Sequence, residues 1–181
     1  MSDLILSLDP SSSCLGWATM RPGEVYIASG RIMPGHPRTH NGYEAYGRIE
    51  SICTQLDSLM DREQPTIIVV EVTSGKRAGR LGQNVSHLGI YGAAVGAVWQ
   101  KATAWSKDFM RDHRIPCTVD VILENEWTSR QPKALRVATA ALMFQQYHSA
   151  EDPGGDEADA LMLNVWYQRE RVVSRLVEAQ R

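Results

Sequence analysis

Four acidic residues stand where predicted elements of secondary structure begin or end. Asp9 follows an apolar strand and precedes a Pro-Ser-Ser-Ser turn, and Glu71 follows four consecutive Ile and Val residues. Asp156 and Asp159 are three residues apart at the start of a predicted helix, so their carboxylates share one face of its first turn. Because strand ends usually carry the functional groups of α/β sheets, these acids are the candidates for chemistry.

Each acid also has an ordinary structural interpretation. Asp9 can be a turn residue, and Glu71 can pair with a nearby cation such as Lys76 or Arg77. Asp156 can cap its helix, since a helix N-terminus favours acidic residues. For Asp9 and Glu71 taken singly, the structural and functional interpretations are about equally well supported.

The combination of the acids favours function. Carboxylates from three separated segments supply the hard oxygen ligands that Mg²⁺ or Mn²⁺ requires. No His and Cys constellation competes for a softer metal, and His87 and His148 lack partners at metal-ligand spacing. A paired-metal centre is therefore the leading hypothesis.

The spacing of apolar residues predicts the elements that must position these acids. Three short β-prone runs suit an antiparallel meander, and an α-helix, a buried strand, a glycine-rich helix, a fifth strand and two further helices follow. This order predicts an α/β fold with a mixed five-stranded sheet and helices on both faces, in a single domain over residues 1–181. The predicted strands are residues 4–8, 16–20, 25–32, 66–70 and 117–123, and the predicted helices are 43–60, 88–105, one from Pro132 and one from Asp156.

Two features inside the predicted helices bear on packing and assembly. Gly89, Gly92 and Gly96 are costly in a helix and predict close packing against another element. Pro132 suits the first turn of the helix that follows it.

Composition excludes several classes of protein. With 43% apolar residues the chain can bury one substantial core, and its net charge of -2 argues against coating nucleic acid through general positive charge. Three widely spaced cysteines give neither a disulfide framework nor a zinc site. Without a signal peptide or a long apolar span, we expect a soluble protein of the cytoplasm.

Two groups of basic residues could hold phosphates near the acids. One group follows the Glu71 strand and the other lies at the start of a later helix, although a solvated charged surface is the simpler interpretation of any single residue. Trp127, in the loop before the second group, is a candidate for stacking on a base. The two groups are Lys76, Arg77 and Arg80, and Arg130, Lys133 and Arg136.

The ordered acidic motifs resemble those of RuvC-type Holliday junction resolvases. The motifs are Leu8-Asp9-Pro10-Ser11, Val70-Glu71 and Asp156-Glu157-Ala158-Asp159-Ala160-Leu161, of which the last is the most specific. The resemblance spans nearly the whole chain and allows a phage-type member, which would act in the cytoplasm of its host. It implies an RNase H-like fold and a Mg²⁺-dependent endonuclease, with Mn²⁺ able to substitute, that cuts four-way and other branched DNA symmetrically.

The same resemblance implies roles for individual residues. Asp9 would bridge two metal ions, Glu71 and one helical Asp would complete one coordination sphere, and the other helical Asp would complete the second. Nicks with 5'-phosphate and 3'-hydroxyl ends are expected. Lys133 lies where such resolvases usually carry a basic residue, and Leu81-Gly82-Gln83 with the glycine-rich helix implies a homodimer.

One departure and three alternatives remain. The segment Val72-Thr73-Ser74-Gly75 lacks the aromatic residue that some family members place near the junction centre, which implies a different means of holding the branch point open or a looser substrate preference. The actin and sugar-kinase class shares the strand-end Asp but needs a second domain. A non-catalytic DNA-binding relative, or a nuclease of this fold acting on flaps or RNA-DNA hybrids, is also compatible with the sequence.

Overall fold

A single five-stranded sheet organises the chain. The computed structural model describes residues 3–11, 13–24, 26–35, 42–73 and 85–172. The strands lie in the order β3-β2-β1-β4-β5, so that β1 is central. Their bounds are β1 Ile5–Pro10, β2 Leu15–Met20, β3 Ala28–Ile32, β4 Ile67–Val72 and β5 Thr118–Leu123.

The sheet is mixed. β1 pairs with β2 and β2 with β3 in antiparallel fashion, whereas β4 runs parallel to both β1 and β5. The parallel connections need crossovers, which helices provide. The predicted antiparallel meander, the mixed five-stranded sheet and the α/β class are therefore confirmed.

Helices cover both faces of the sheet. On one face, the first two helices pack on Leu6, Leu8, Ile68 and Val70. On the other face, the last long helix packs on β1 and β2. The helices are α1 Gly42–Glu63, α2 Val85–His113, α3 Glu124–Trp127, α4 Lys133–Met143 and α5 Asp156–Tyr167, with a 3-10 turn at Ser149–Glu151 and a π-helical turn at Gln168–Val172.

Several details differ from the sequence-based predictions. α2 extends to His113, the short helix α3 was not predicted, and Pro132 is the residue before α4, outside its first turn. Glu71 lies inside β4, one residue before its end. Among the described residues, no helix is long and apolar enough to span a membrane.

The prediction for the glycines of α2 is wrong within this chain. A Cβ atom added at Gly89, Gly92 or Gly96 would meet nothing within 4 Å. Within the part of the chain that the structure describes, these glycines therefore mark no close contact with another element. The described residues leave that side of α2 uncovered.

Candidate functional site

Strand alternation places Asp9 and Glu71 on the face of the sheet that α5 covers. In β1, the Ser7 hydroxyl donates a 2.7 Å hydrogen bond to the carbonyl of Ala160 in α5, and Asp9 shares the face of Ser7. In β4, Val69 packs with residues of α5, and Glu71 shares the face of Val69. Leu8 pairs with Val70, so Asp9 and Glu71 come next on adjacent strands.

A glycine of β2 allows α5 to reach these acids. Gly16 pairs with Asp9 in the antiparallel register. A Cβ atom at Gly16 would collide with the carbonyl of Asp156 and would lie 2.9 Å from the Glu157 nitrogen. The first turn of α5 therefore rests directly on the backbone of β2 beside Asp9. The sequence analysis missed this residue, although glycine inside a strand often marks a close approach.

A buried acid outside the four candidates fixes the start of α5. The Asp152 carboxylate accepts hydrogen bonds from the backbone nitrogens of Asp156 at 3.1 Å and Ala158 at 3.0 Å, and from the Tyr147 hydroxyl at 3.1 Å. Asp152 therefore satisfies the free N–H groups that the alternative interpretation assigned to Asp156. The N-cap of α5 is Gly155, and the Asp156 carboxylate pairs with Lys133 in the site.

Lys133 brings a positive charge between the two acids of α5. Its Nζ lies 3.1 Å from Oδ1 of Asp156 and 3.1 Å from Oδ2 of Asp159. Gly155 adopts φ 68°, and a Cβ atom there would lie 2.8 Å from Cε of Lys133 and from Cγ2 of Val137, so glycine suits both the backbone and the space. Burial lowers the pKa of Lys133, but Asp159, Asp9 and Asp156 outweigh it and hold the pKa above its usual range.

Arg136 and Trp127 connect two of the candidate acids. The Arg136 guanidinium, 2% exposed, donates from Nε and Nη2 to the two carboxylate oxygens of Asp159, at 2.6 and 2.9 Å. The same guanidinium lies 5.2 Å over the Trp127 ring. The Trp127 indole N–H donates a 3.0 Å hydrogen bond to Oε2 of Glu71.

These contacts change the interpretation of both side chains. Trp127 is 6% exposed, so the prediction that it stacks on a base is wrong because its ring faces the core. Arg136 was predicted to hold phosphates, but its guanidinium faces Asp159 and the carbonyl of Gln131 at 2.8 Å. The sequence carried no signal for the Trp127–Glu71 hydrogen bond.

The other predicted basic residues are partly placed. Arg130 is exposed, with φ 64°, in the turn before α4. Lys76, Arg77 and Arg80, like the Leu81-Gly82-Gln83 segment, lie outside the described residues. After this segment, α2 returns to the end of β4. The Tyr91 hydroxyl donates a hydrogen bond to Oγ1 of Thr73 at 2.7 Å and accepts one from the backbone nitrogen of Thr73 at 3.0 Å.

Burial and neighbouring acids raise the pKa of two of the acids, Asp9 and Glu71. Burial, and then the neighbouring Glu71 and Asp159, hold the pKa of Asp9 well above its usual range. Burial and Asp159 raise the pKa of Glu71 to about 7, although Arg136, Lys133 and the Trp127 hydrogen bond oppose the shift. Lys133 and Arg136 therefore do not offset burial and the neighbouring acids at these two positions, and an added cation would favour the ionised form.

Cys14 is a further neighbour of this cluster. Its thiol is buried near the Asp156 carboxylate. Burial and then Asp156 raise the pKa of this thiol to about 12. All three cysteines are free, and the raised pKa keeps the Cys14 thiol neutral beside Asp156.

The site fits a divalent cation by ligand type and charge. Its four carboxylates are hard oxygen donors, and the Lys133 ammonium already occupies a position between two of them. Within the described part of the chain, no three His, Cys, Asp or Glu side chains converge closely enough, as they stand, to hold a metal ion. A cation must therefore displace Lys133 or reorient the acids around Asp9.

Comparison with solved structures agrees with this architecture. The chain is similar to RuvC of Thermus thermophilus, with a TM-score of 0.59, 14% identity, and 92% of this chain and 95% of that chain covered. It is similar also to T. thermophilus RuvC in complex with Holliday junction substrate, with a TM-score of 0.57, 12% identity and the same coverage. No protein-family model and no curated protein sequence matches the chain. The chain therefore has a RuvC-like form of the RNase H-like fold.

Proposed function

We propose that the chain is a metal-dependent, structure-selective endodeoxyribonuclease that resolves four-way Holliday junctions and other branched DNA. The observation that carries this proposal is the grouping of Asp9, Glu71, Asp156 and Asp159 where β1, β4 and α5 meet, with the Lys133 ammonium in contact with the last two. The fold supports it, since one of the similar structures is a RuvC bound to a Holliday junction.

The four acids would hold two divalent cations, Mg²⁺ or Mn²⁺. When bound, such ions supply an activated water and stabilise the leaving oxygen of a phosphodiester. Asp9 and Glu71 are buried, at 8% and 4% exposed, so bulk water competes less with their carboxylates for a bound cation. Gly16 and Asp152 hold α5 so that Asp156 and Asp159 face the strand-end acids.

Basic residues would hold the DNA backbone beside the acids. Lys133 is placed to move from its two carboxylates to a phosphate, since its side chain is 36% exposed. Arg130 is exposed in the turn before α4, and Lys76, Arg77 and Arg80 remain predictions. We assign Arg136, which is buried, to holding Asp159 rather than to binding DNA.

Resolution of a junction needs two cuts, and we propose a homodimer. Gly89, Gly92 and Gly96 share one side of α2, where an added Cβ atom would meet none of the described residues within 4 Å, and Trp99 continues that side and is 45% exposed. A second copy packed there would present two sites related by a two-fold axis.

Cleavage of a substrate panel tests the proposal. Labelled four-way junction, linear duplex, flap and RNA-DNA hybrid are each incubated with the chain and Mg²⁺ or Mn²⁺, alongside Asp9→Asn. Asp108→Asn is the matched control, because Asp108 is an exposed acid paired with Arg111 outside the site.

The expected result is paired, symmetric nicking of the junction by the wild type and the control, and none by Asp9→Asn. Preferential cutting of the flap or the hybrid would contradict the junction as substrate and support that nucleic acid instead. Binding of the junction without cleavage under any condition would contradict nuclease activity and support a non-catalytic DNA-binding role.

A further inference from the structure

Two side chains that are not candidate metal ligands join Glu71 to Asp159. Trp127 donates its indole N–H to Oε2 of Glu71 at 3.0 Å, and Arg136 donates to both oxygens of Asp159. The Arg136 guanidinium lies 5.2 Å over the Trp127 ring, which closes the connection. All four residues are buried, at 6% exposed or less.

The connection spans separate elements of the fold. Glu71 lies in β4, Trp127 ends α3, Arg136 lies in α4 and Asp159 lies in α5. Trp127 is itself packed with Ile67, Ile122 and Tyr167, so the donor to Glu71 is held by the core. The backbone carbonyl of Gln131 accepts a third bond from Arg136 at 2.8 Å, which fixes the plane of the guanidinium.

We propose that Trp127 and Arg136 are positioning residues that set the orientation of Glu71 relative to Asp159 and thereby determine divalent-cation affinity. This inference rests on the proposed function, because it assigns the two acids to one cation site. Trp127 occupies one oxygen of Glu71 and turns the other towards the site. Arg136 holds the plane of the Asp159 carboxylate.

The two positioning residues differ in what their loss would reveal. Trp127 is neutral, so its substitution changes the orientation of Glu71 without changing the charge of the site. Removal of Arg136 would release Asp159 but would also remove a repulsive charge, and the two effects on cation affinity oppose each other. Trp127→Phe is therefore the cleaner variant, and Arg136→Lys, which keeps the charge but loses the planar fork, is the second.

The test measures Mn²⁺ binding to the full chain by electron paramagnetic resonance of the free ion. Trp127→Phe keeps a ring beneath Arg136 but removes the N–H, and we expect Mn²⁺ affinity to fall by about 10–100-fold, the usual effect of losing a partner that orients a metal ligand. Trp105→Phe is the matched control, because Trp105 donates its N–H at 2.7 Å to Asp61, a carboxylate outside the site. Its affinity should equal that of the wild type.

Further readouts separate positioning from structural support. With the junction, Trp127→Phe should lower kcat at limiting Mn²⁺ and leave KM for DNA within about twofold, and excess Mn²⁺ should restore part of kcat. In a Glu71→Gln background, Trp127→Phe should have no further effect on Mn²⁺ affinity, because its partner is already altered. Arg136→Lys should weaken Mn²⁺ binding even if Trp127→Phe folds poorly.

Each outcome bears on one proposal. Wild-type affinity for Mn²⁺ in folded Trp127→Phe and Arg136→Lys overturns the positioning role, whether or not junctions are cut. Weaker binding by both variants without junction cleavage by the wild type supports the positioning role and contradicts the proposed substrate. Absence of Mn²⁺ binding by the wild type overturns both proposals.

Discussion

The carbonyl of Asp156 lies so close to the α-carbon of Gly16 that any side chain at position 16 would collide with it. Gly16 is also the register partner of Asp9. One glycine therefore lets the helix that carries two acids meet the strand that carries a third.

Gly16→Ala should displace the first turn of α5. The methyl group meets backbone rather than a flexible side chain, so we expect a loss of about 1–3 kcal/mol in stability and of about 100-fold in cleavage. Thermal unfolding and junction nicking measure the two effects. Gly47→Ala, where a Cβ atom meets nothing within 4 Å, should leave activity intact, and full activity of Gly16→Ala would contradict the close contact.

Asp152→Asn should loosen the start of α5. Its amide can accept hydrogen bonds at only one atom, whereas the carboxylate now accepts from two backbone nitrogens and Tyr147. We expect a loss of about 1–2 kcal/mol and a lower affinity for Mn²⁺. Denaturant unfolding and Mn²⁺ titration are the measurements. Asp57→Asn, which alters an exposed pair with Lys101, is the control, and equal effects of the two changes would argue against a capping role.

Lys133→Met should destabilise the metal-free protein. It leaves the repelling carboxylates of Asp156 and Asp159 without the ammonium that now contacts both. Because Lys133 is partly exposed, we expect the free energy of unfolding to fall by about 1–2 kcal/mol. For Lys101→Met, which breaks a surface pair, we expect a fall of less than about 1 kcal/mol. Unfolding in a chelator measures both, and Mg²⁺ should stabilise Lys133→Met more than the wild type. Equal losses of stability in Lys133→Met and Lys101→Met would contradict this role of Lys133.

The raised pKa of Glu71 predicts how metal-free stability depends on pH. The native pKa of about 7 exceeds the ordinary 4.5, so between these values the native state holds a proton that the unfolded state has lost. This group therefore lowers stability as pH rises through that window, and the full penalty is present above about pH 7. Glu71→Gln removes the penalty.

The measurement is Tm in a chelator at pH 5 and pH 8. Relative to the wild type, Glu71→Gln should gain several °C at pH 8, since a shift of one pKa unit is worth about 1.4 kcal/mol and 1 kcal/mol is worth about 2–4 °C for a chain of this size. The gain should nearly vanish at pH 5. A gain of the same size at both values would contradict the shift.

The sequence predicted the fold well because its strongest signals are local. Alternating and continuous apolar runs specified all five strands, and the predicted opening of α5 at Asp156 is confirmed. The positions of Asp9 and Glu71 on one face follow from strand alternation and parallel pairing alone.

The partners of the acids could not be predicted, because they come from distant segments. Trp127 and Glu71 are 56 residues apart, and Arg136 and Asp159 are 23 apart, so no local pattern joins them. Arg136 resembles any basic residue of a surface helix until its burial is known. The capping role of Asp152 could not be predicted, because the turn at Pro153-Gly154-Gly155 separates Asp152 from the helix that it caps.

The central claim is that four carboxylates form one metal-dependent nuclease site. The most direct measurement compares single-turnover junction nicking by Asp9→Asn, Glu71→Gln, Asp156→Asn and Asp159→Asn in Mg²⁺, with Asp108→Asn as control. We predict that each of the four loses more than about 100-fold, since losing a ligand costs at least as much as losing its orienting partner, and that the control keeps wild-type activity. Wild-type nicking by any of the four would contradict the claim.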